Sequence, residues 1–319
     1  MNVLAFSFNA IAPMLFTTAL GWFISRRSKI PQGFTEFLNK LCFRYLLSFH
    51  VFNSTMTVDF SAEFNLGLVL FFVIAGLAVI AGAIAVFTLF VQDRGRRCSL
   101  IVCSYRSSNI VFALPMAVGL FGAEGIKPAA MLIPVTIIMF NFITVVLMVY
   151  YSQGTDGAAP LGATLRKTAL DVVQNPLIIG SGIGILLSLL HIRLPAFARG
   201  AATMVASAGT PVSFLLLGMQ IDFRRLRAAA GPVIGACLMR LVVVPGILVP
   251  LMVLAGFRGP ELGALMVVYA APCAVTNYVM SRLYNLDPEF TGQTVTMSTI
   301  LSMLTMFLEV SLLRALGLF

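Results

Sequence analysis

Apolar positions along this chain gather into long runs separated by short polar stretches. Ten runs are read, at about 4–24, 38–57, 66–91, 99–120, 128–151, 170–190, 197–221, 230–256, 261–283 and 291–314. Each is roughly 20 residues long, the length that crosses about 30 Å of hydrocarbon as a helix. The run at 38–57 is the least apolar. The short alternating segments of a membrane β-barrel are absent, so the pattern predicts an all-α membrane protein. A polar stretch at 152–168 separates residues 1–151 from 169–319, with five runs on each side. Five is odd, so a second copy of the first half starts from the opposite face of the membrane, and any repeat must be inverted. Inverted halves around a midplane site give two states of similar energy, one open to each side, which is a transporter device.

Composition strengthens this reading. Hydrophobic residues make up 59% of the 319 positions and charged residues only 10%, against roughly 25% charged in soluble domains. There is too little polar surface to cover a water-exposed core. The net charge of +9 is dispersed in clusters between runs, such as Arg26-Arg27, Arg94 to Arg97, Arg166-Lys167 and Arg224 to Arg227. With the amino terminus outside, these clusters and Lys29, Lys40 and Arg282 fall on the cytoplasmic side. Only Lys127, Arg193, Arg199, Arg258 and Arg314 fall opposite. That asymmetry predicts both termini on the outer, periplasmic face, and it argues against nucleic acid as a partner. The five cysteines show no metal-ligand spacing. The first run has no basic stretch ahead of it and reads as a span, not a cleavable signal. No Walker, zinc or hydrolase motif is present, so no cofactor, metal or enzymatic activity is expected. Gly180 to Gly184 reads as close helix packing.

The fourth and ninth runs are interrupted at corresponding positions. One contains Asn109 and Pro115, the other Pro272 and Asn277. Proline removes a backbone donor and clashes with the carbonyl four residues back, so each helix is expected to open there. Polar backbone freed at membrane depth persists only where protein or a wet cavity satisfies it. A single such helix is commonly a simple kink. A matched pair points to a transport site.

Polar side chains inside the runs offer further candidates. Asn39, His50, Asn53 and Thr57 share one face of the second run, either lining a cavity or packing on a neighbour. His50 is also a candidate for titration near neutral pH. Ser298, Ser302, Thr305 and Glu309 form a stripe on the tenth. Hydroxyls at that spacing usually mark helix packing, and Glu309 either reaches the interface or binds a coupling ion. Arg106 and Arg240 lie within runs, where a charge costs about 2.5–3.5 kcal/mol near the centre and so normally faces a partner. Their guanidinium forks suit a carboxylate. The alternatives are pairing with Asp171, Asp287 or Glu309, or snorkelling to the surface.

Taken in order, these segments resemble the auxin efflux carrier family, in its bacterial branch related to the plant PIN-type carriers. The resemblance runs from Gly21-Trp22 to Arg44, then Arg106 to Gly125 with Asn109, Pro115, Phe121-Gly122 and Glu124. It continues through Asn175-Pro176, Thr210-Pro211, Leu217-Gly218, Ala271-Pro272, Asn277-Tyr278, Tyr284 and Ser298-Thr299. It implies ten transmembrane helices in two inverted five-helix repeats, similar to the bile-acid symporter fold, with helices four and nine crossing at their breaks. It also implies a scaffold of spans one, two, six and seven beside a moving unit, often as a homodimer. By motif, Asn109, Pro115, Pro272 and Asn277 would shape the substrate site, with Asn141 and Asn53 as lining residues.

The expected function is therefore a secondary transporter of a small organic anion, auxin-like or a mono- or dicarboxylate, in a bacterial inner membrane. A sodium-coupled symporter on the same fold and an anion channel are the alternatives. The first needs clustered carboxylates and hydroxyls near the crossing, where the sequence offers few acids, and the second needs currents far above carrier turnover.

Overall fold

The computed structural model describes residues 3–319 except 29, 32, 58–64, 153–161, 163–165, 167–169, 171–172, 175, 193, 220 and 222–230. The described secondary structure is helical, with a single isolated bridge in place of any strand. That is what lipid demands, because a helix satisfies its own backbone. The helices are α1 (Val3–Arg27), α2 (34–57), α3 (Leu66–Phe90), α4 (Arg94–Tyr105), α5 (109–121) and α6 (Ala123–Ser152). They continue as α7 (Pro176–Leu189), α8 (Ala196–Met219), α9 (Gly231–Leu254), α10 (Gly259–Ala270), α11 (Val275–Leu283) and α12 (Pro288–Ala315). Among the described residues, five of them are long and apolar enough to cross a membrane: α3, α6, α8, α9 and α12. Most of the polar stretch at 152–168 lies outside the described residues.

Local chemistry sets the helix starts. Asn65, Asp93 and Asp287 each accept a hydrogen bond from the first turn they precede, at 3.0, 2.6 and 3.0 Å. These caps satisfy donors that a helix otherwise leaves open. Pro260 and Pro288 occupy first-turn positions, where the missing N–H costs nothing. Two caps also tie helices together. The Asn65 amide donates to Glu261 at 2.7 Å, and Asp287 accepts from Arg96 Nε at 3.1 Å.

The packing sorts into two groups, which also touch where α1 meets α12 and α2 meets α6. In the first, α1 lies along α8, and α2 lies along α7 and α8. These contacts are close because glycine permits backbone-to-backbone approach. A β-carbon on Gly218 of α8 would collide with the Thr18 carbonyl of α1, and one on Gly184 of α7 with the Thr55 hydroxyl of α2. The second group, α3 to α6 with α9 to α12, is held by buried side chains. At its centre the rings of Tyr105 and Phe140, Phe140 and Phe72, and Phe72 and Tyr269 follow one another at 5.5, 5.8 and 5.6 Å. Phe112 of α5 meets Phe214 of α8 edge-on at 6.0 Å, joining the two groups through an apolar contact.

The breaks do not both fall at proline. Pro272 lies within the gap between α10 and α11, but the gap between α4 and α5 is at residues 106–108, seven positions before Pro115. Pro115 is buried inside α5. The expected clash at its ring is accommodated by a π turn at Asn109–Ala113, which widens the helix just ahead of it. Similar turns occur at Cys42–Leu46 in α2 and Met239–Val243 in α9.

Candidate functional site

The two broken helices meet at their gaps. Ser107 and Cys273 form an antiparallel bridge. Ser108 N donates to Pro272 O at 2.9 Å, and Ala274 N donates to Arg106 O at 3.2 Å. Each gap thus satisfies backbone groups of the other, which is what non-helical chain inside a membrane requires. Cys273 N donates to Ser298 Oγ of α12 at 3.1 Å. The amino ends of α5 and α11 and the carboxyl ends of α4 and α10 all converge here.

Arg106, at the end of α4, is 7% exposed. Its Nη1 donates to Asn277 Oδ1 at 3.2 Å and to Met280 Sδ at 2.8 Å, and its Nη2 to Asn141 Oδ1 at 2.5 Å. The Asn277 amide donates back to Arg106 O at 3.2 Å. Arg106 therefore does not snorkel, and it pairs with no acid among the described residues. Its charge is held by neutral acceptors from α6 and α11. The ion pairs among the described residues are Lys40–Glu36 and Arg96–Asp287.

Asn109 opens α5. Its Oδ1 accepts from Ser107 Oγ at 2.6 Å, while its buried Nδ2 makes no hydrogen bond. The same holds for the Thr136 hydroxyl of α6. Both residues line one small cavity, walled by Ala113, Leu132, Ala264 and Val268. It has room for about one water molecule.

Arg240 of α9 is fully buried and does not present its fork to a prospective cargo. It donates to the carbonyls of Ala271, Val268, Ser104 and Tyr105 at 2.9, 3.0, 3.2 and 3.3 Å. These carbonyls belong to the ends of α10 and α4. The alternative pairings with Asp287 or Glu309 are not formed either, and Asp171 lies outside the described residues. Backbone partners carry no side-chain signal, so sequence reasoning could not see this arrangement.

The remaining candidates lie elsewhere. His50 Nδ1 is 3.2 Å from Ala206 O, and Asn53 Oδ1 accepts from Thr203 Oγ1 at 3.3 Å, both in the contact between α2 and α8. This favours the packing alternative for that face, and Asn53 is not brought to Arg106. The side chain of Thr57 lies outside the described set. On α12 the hydroxyls of Ser298, Ser302 and Thr305 bond to carbonyls of their own helix, and Ser298 alone also serves the crossing. Glu309 is half-buried on α12, with Oε2 making no hydrogen bond. Sequence reasoning missed Ser107, Ser108 and Thr136. A run of small hydroxyl residues ahead of Asn109 was the available signal.

Comparison with known proteins finds similarity to membrane transporters. A family profile described as membrane transport protein matches residues 6–309. An uncharacterized transporter of Methanothermobacter thermautotrophicus is 23% identical over 304 residues, covering 94% of this chain and 96% of that protein. An uncharacterized transporter of Methanocaldococcus jannaschii is 23% identical over 212 residues, covering 66% of each chain.

Proposed function

The chain belongs to the membrane transport protein family, that of the auxin efflux carriers, and on that footing we propose that it carries a small organic anion by alternating access, with the helix crossing as its cargo site. It is an integral membrane transporter and not an enzyme. The observation that carries the anion reading is Arg106, a buried cation at the crossing whose partners are two amides and a thioether. A cargo carboxylate would supply the missing negative charge and match the guanidinium fork. The amino ends of α5 and α11 add partial positive charge at the same place.

The full arrangement we propose is ten spans in two inverted five-helix repeats, divided at 152–168, with both termini periplasmic in a bacterial inner membrane. The glycine-packed group of α1, α2, α7 and α8 would form the static scaffold, often paired with a second copy. The other group would move against it, and the apolar Phe112–Phe214 contact supports such sliding. A sodium-coupled symporter of the bile-acid type would draw on clustered carboxylates and hydroxyls near the crossing, or on open backbone carbonyls. The side chains described there are amides, hydroxyls, thiols, a thioether and arginine, with no carboxylate among them, and the converging carbonyls of α4 and α10 are taken by Arg240, which favours an uncoupled or otherwise coupled carrier.

Reconstituted protein should exchange a labelled mono- or dicarboxylate across liposomes, and Arg106→Gln should remove that exchange while remaining folded. The reading fails if the wild type exchanges none of a panel of carboxylates, or if Arg106→Gln exchanges them normally.

A further inference from the structure

Arg240 is the largest of the fully buried side chains among the described residues. A guanidinium in such a place normally faces a carboxylate or costs several kcal/mol. Here four carbonyl oxygens surround it, at 2.9 to 3.3 Å, from two different helices. They come from the carboxyl ends of α4 and α10, where the peptide dipoles place partial negative charge. Glu309 on α12 is not within ion-pair distance. Among the described residues, the direct partners of the Arg240 charge are therefore backbone carbonyls.

The geometry has a chemical meaning. Carbonyls at the ends of interrupted membrane helices, converging on one positive charge, are the usual ligands of an alkali cation. The fork supplies in fixed form what such an ion supplies when bound. Lysine has three donors on one nitrogen, whereas the planar guanidinium spreads five over three nitrogens, so it can span carbonyls of two helices at once. The π turn at Met239–Val243 contains Arg240, and a widened turn re-aims a side chain relative to a regular helix.

We propose that Arg240 is a resident cation: its guanidinium permanently occupies a four-carbonyl site at the crossing, so that the broken helices keep their geometry without a bound alkali ion. Arg240 is thereby a positioning residue. It holds the ends of α4 and α10 together and cancels their negative dipoles, leaving the field of Arg106 and the opposing amino ends to the cargo. The inference rests on the carrier reading above and adds to it that exchange needs neither sodium nor potassium.

The test compares wild type, Arg240→Ala and Arg240→Lys in liposomes containing sodium, potassium or choline chloride on both sides. Wild type should exchange the labelled carboxylate at equal rates in all three. Arg240→Ala should be slower by about tenfold or more in choline, with partial recovery on adding millimolar guanidinium or methylguanidinium, or sodium. Arg240→Lys, retaining charge without the fork, should fall between. A second readout does not involve cargo. The thermal midpoint of detergent-solubilised Arg240→Ala should be lowered, then raised by millimolar guanidinium or sodium, while that of wild type is unmoved by either. Failure of every protein to exchange a carboxylate would overturn the anion reading and leave the thermal comparison to decide on Arg240. Sodium-dependent wild-type exchange would overturn the inference. So would an Arg240→Ala that exchanges normally in choline, or a folded one that neither guanidinium nor sodium restores. If Arg240→Ala yields no folded protein, the wild-type ion comparison and Arg240→Lys decide, and a Lys variant at full wild-type activity and stability overturns the four-carbonyl role.

Discussion

Arg106 and Asn277 hold each other twice: the guanidinium donates to the amide oxygen, and the amide nitrogen donates to the Arg106 carbonyl, both at 3.2 Å. One asparagine thus steadies the cation and caps the end of α4 from which it projects. The pair also links the first broken helix to the second, residues 171 positions apart.

Asn277→Ala should therefore lose more than one hydrogen bond. It leaves a charged donor without one of its acceptors and a buried carbonyl without one of its donors. Hydrogen bonds to charged groups contribute about 1.5–3 kcal/mol, so carboxylate exchange should fall by about tenfold or more. Asn277→Asp is the sharper variant. Its carboxylate would pair with Arg106 internally and compete with the cargo, raising the KM for exchange with less effect on thermal stability than Asn277→Ala. Measured exchange kinetics and thermal midpoints of the two variants check this. Normal KM in Asn277→Asp would show that Arg106 does not face the anion.

The parts of this fold that were legible in sequence are those carried by side-chain pattern. Runs of about 20 apolar residues register the bilayer, and paired asparagines and prolines in the fourth and ninth runs mark the segments that meet. The break before Ser108 was not legible. It is fixed by a hydrogen bond to Pro272 O from the other half of the chain, a partner that leaves no local trace, so Pro115 drew the eye instead. Arg240 was visible as an anomaly, but its four carbonyl partners are the same in every residue type. His50 and Asn53 had a clear common face, yet periodicity identifies a face without saying what lies against it, and here it is α8.

Asn109 and Thr136 should respond differently to mutation, although both line the same cavity and both carry a buried polar atom without a hydrogen bond. Thr136→Val replaces the hydroxyl by a methyl of nearly the same shape. Removing a buried polar group that has no partner is close to neutral or stabilising, by up to about 1 kcal/mol. Asn109→Ala also removes the acceptor for Ser107 Oγ, inside the gap itself. Its exchange should fall by about tenfold, with little recovery on adding Thr136→Val. Thermal unfolding with labelled-anion counterflow distinguishes the two. A Thr136→Val protein as inactive as Asn109→Ala would mean that the cavity hydroxyl itself serves transport.

Gly184 and Gly182 sit two residues apart on α7 and offer a test of what the glycine-packed group contributes. A β-carbon at Gly184 would meet Thr55 Oγ1 and the Phe52 carbonyl of α2, whereas one at Gly182 meets nothing within 4 Å. Gly184→Val should force α2 and α7 apart, at a cost of about 1–3 kcal/mol for overpacking. Gly182→Ala should be neutral or stabilising by up to about 1 kcal/mol, since alanine favours helix. The scaffold reading adds a kinetic expectation. If α2 and α7 only support the moving group, the Gly184→Val molecules that remain folded should exchange anion at the wild-type rate per molecule, with their thermal midpoint lowered. A variant of normal stability but lost exchange would instead place the contact between α2 and α7 among the parts that move.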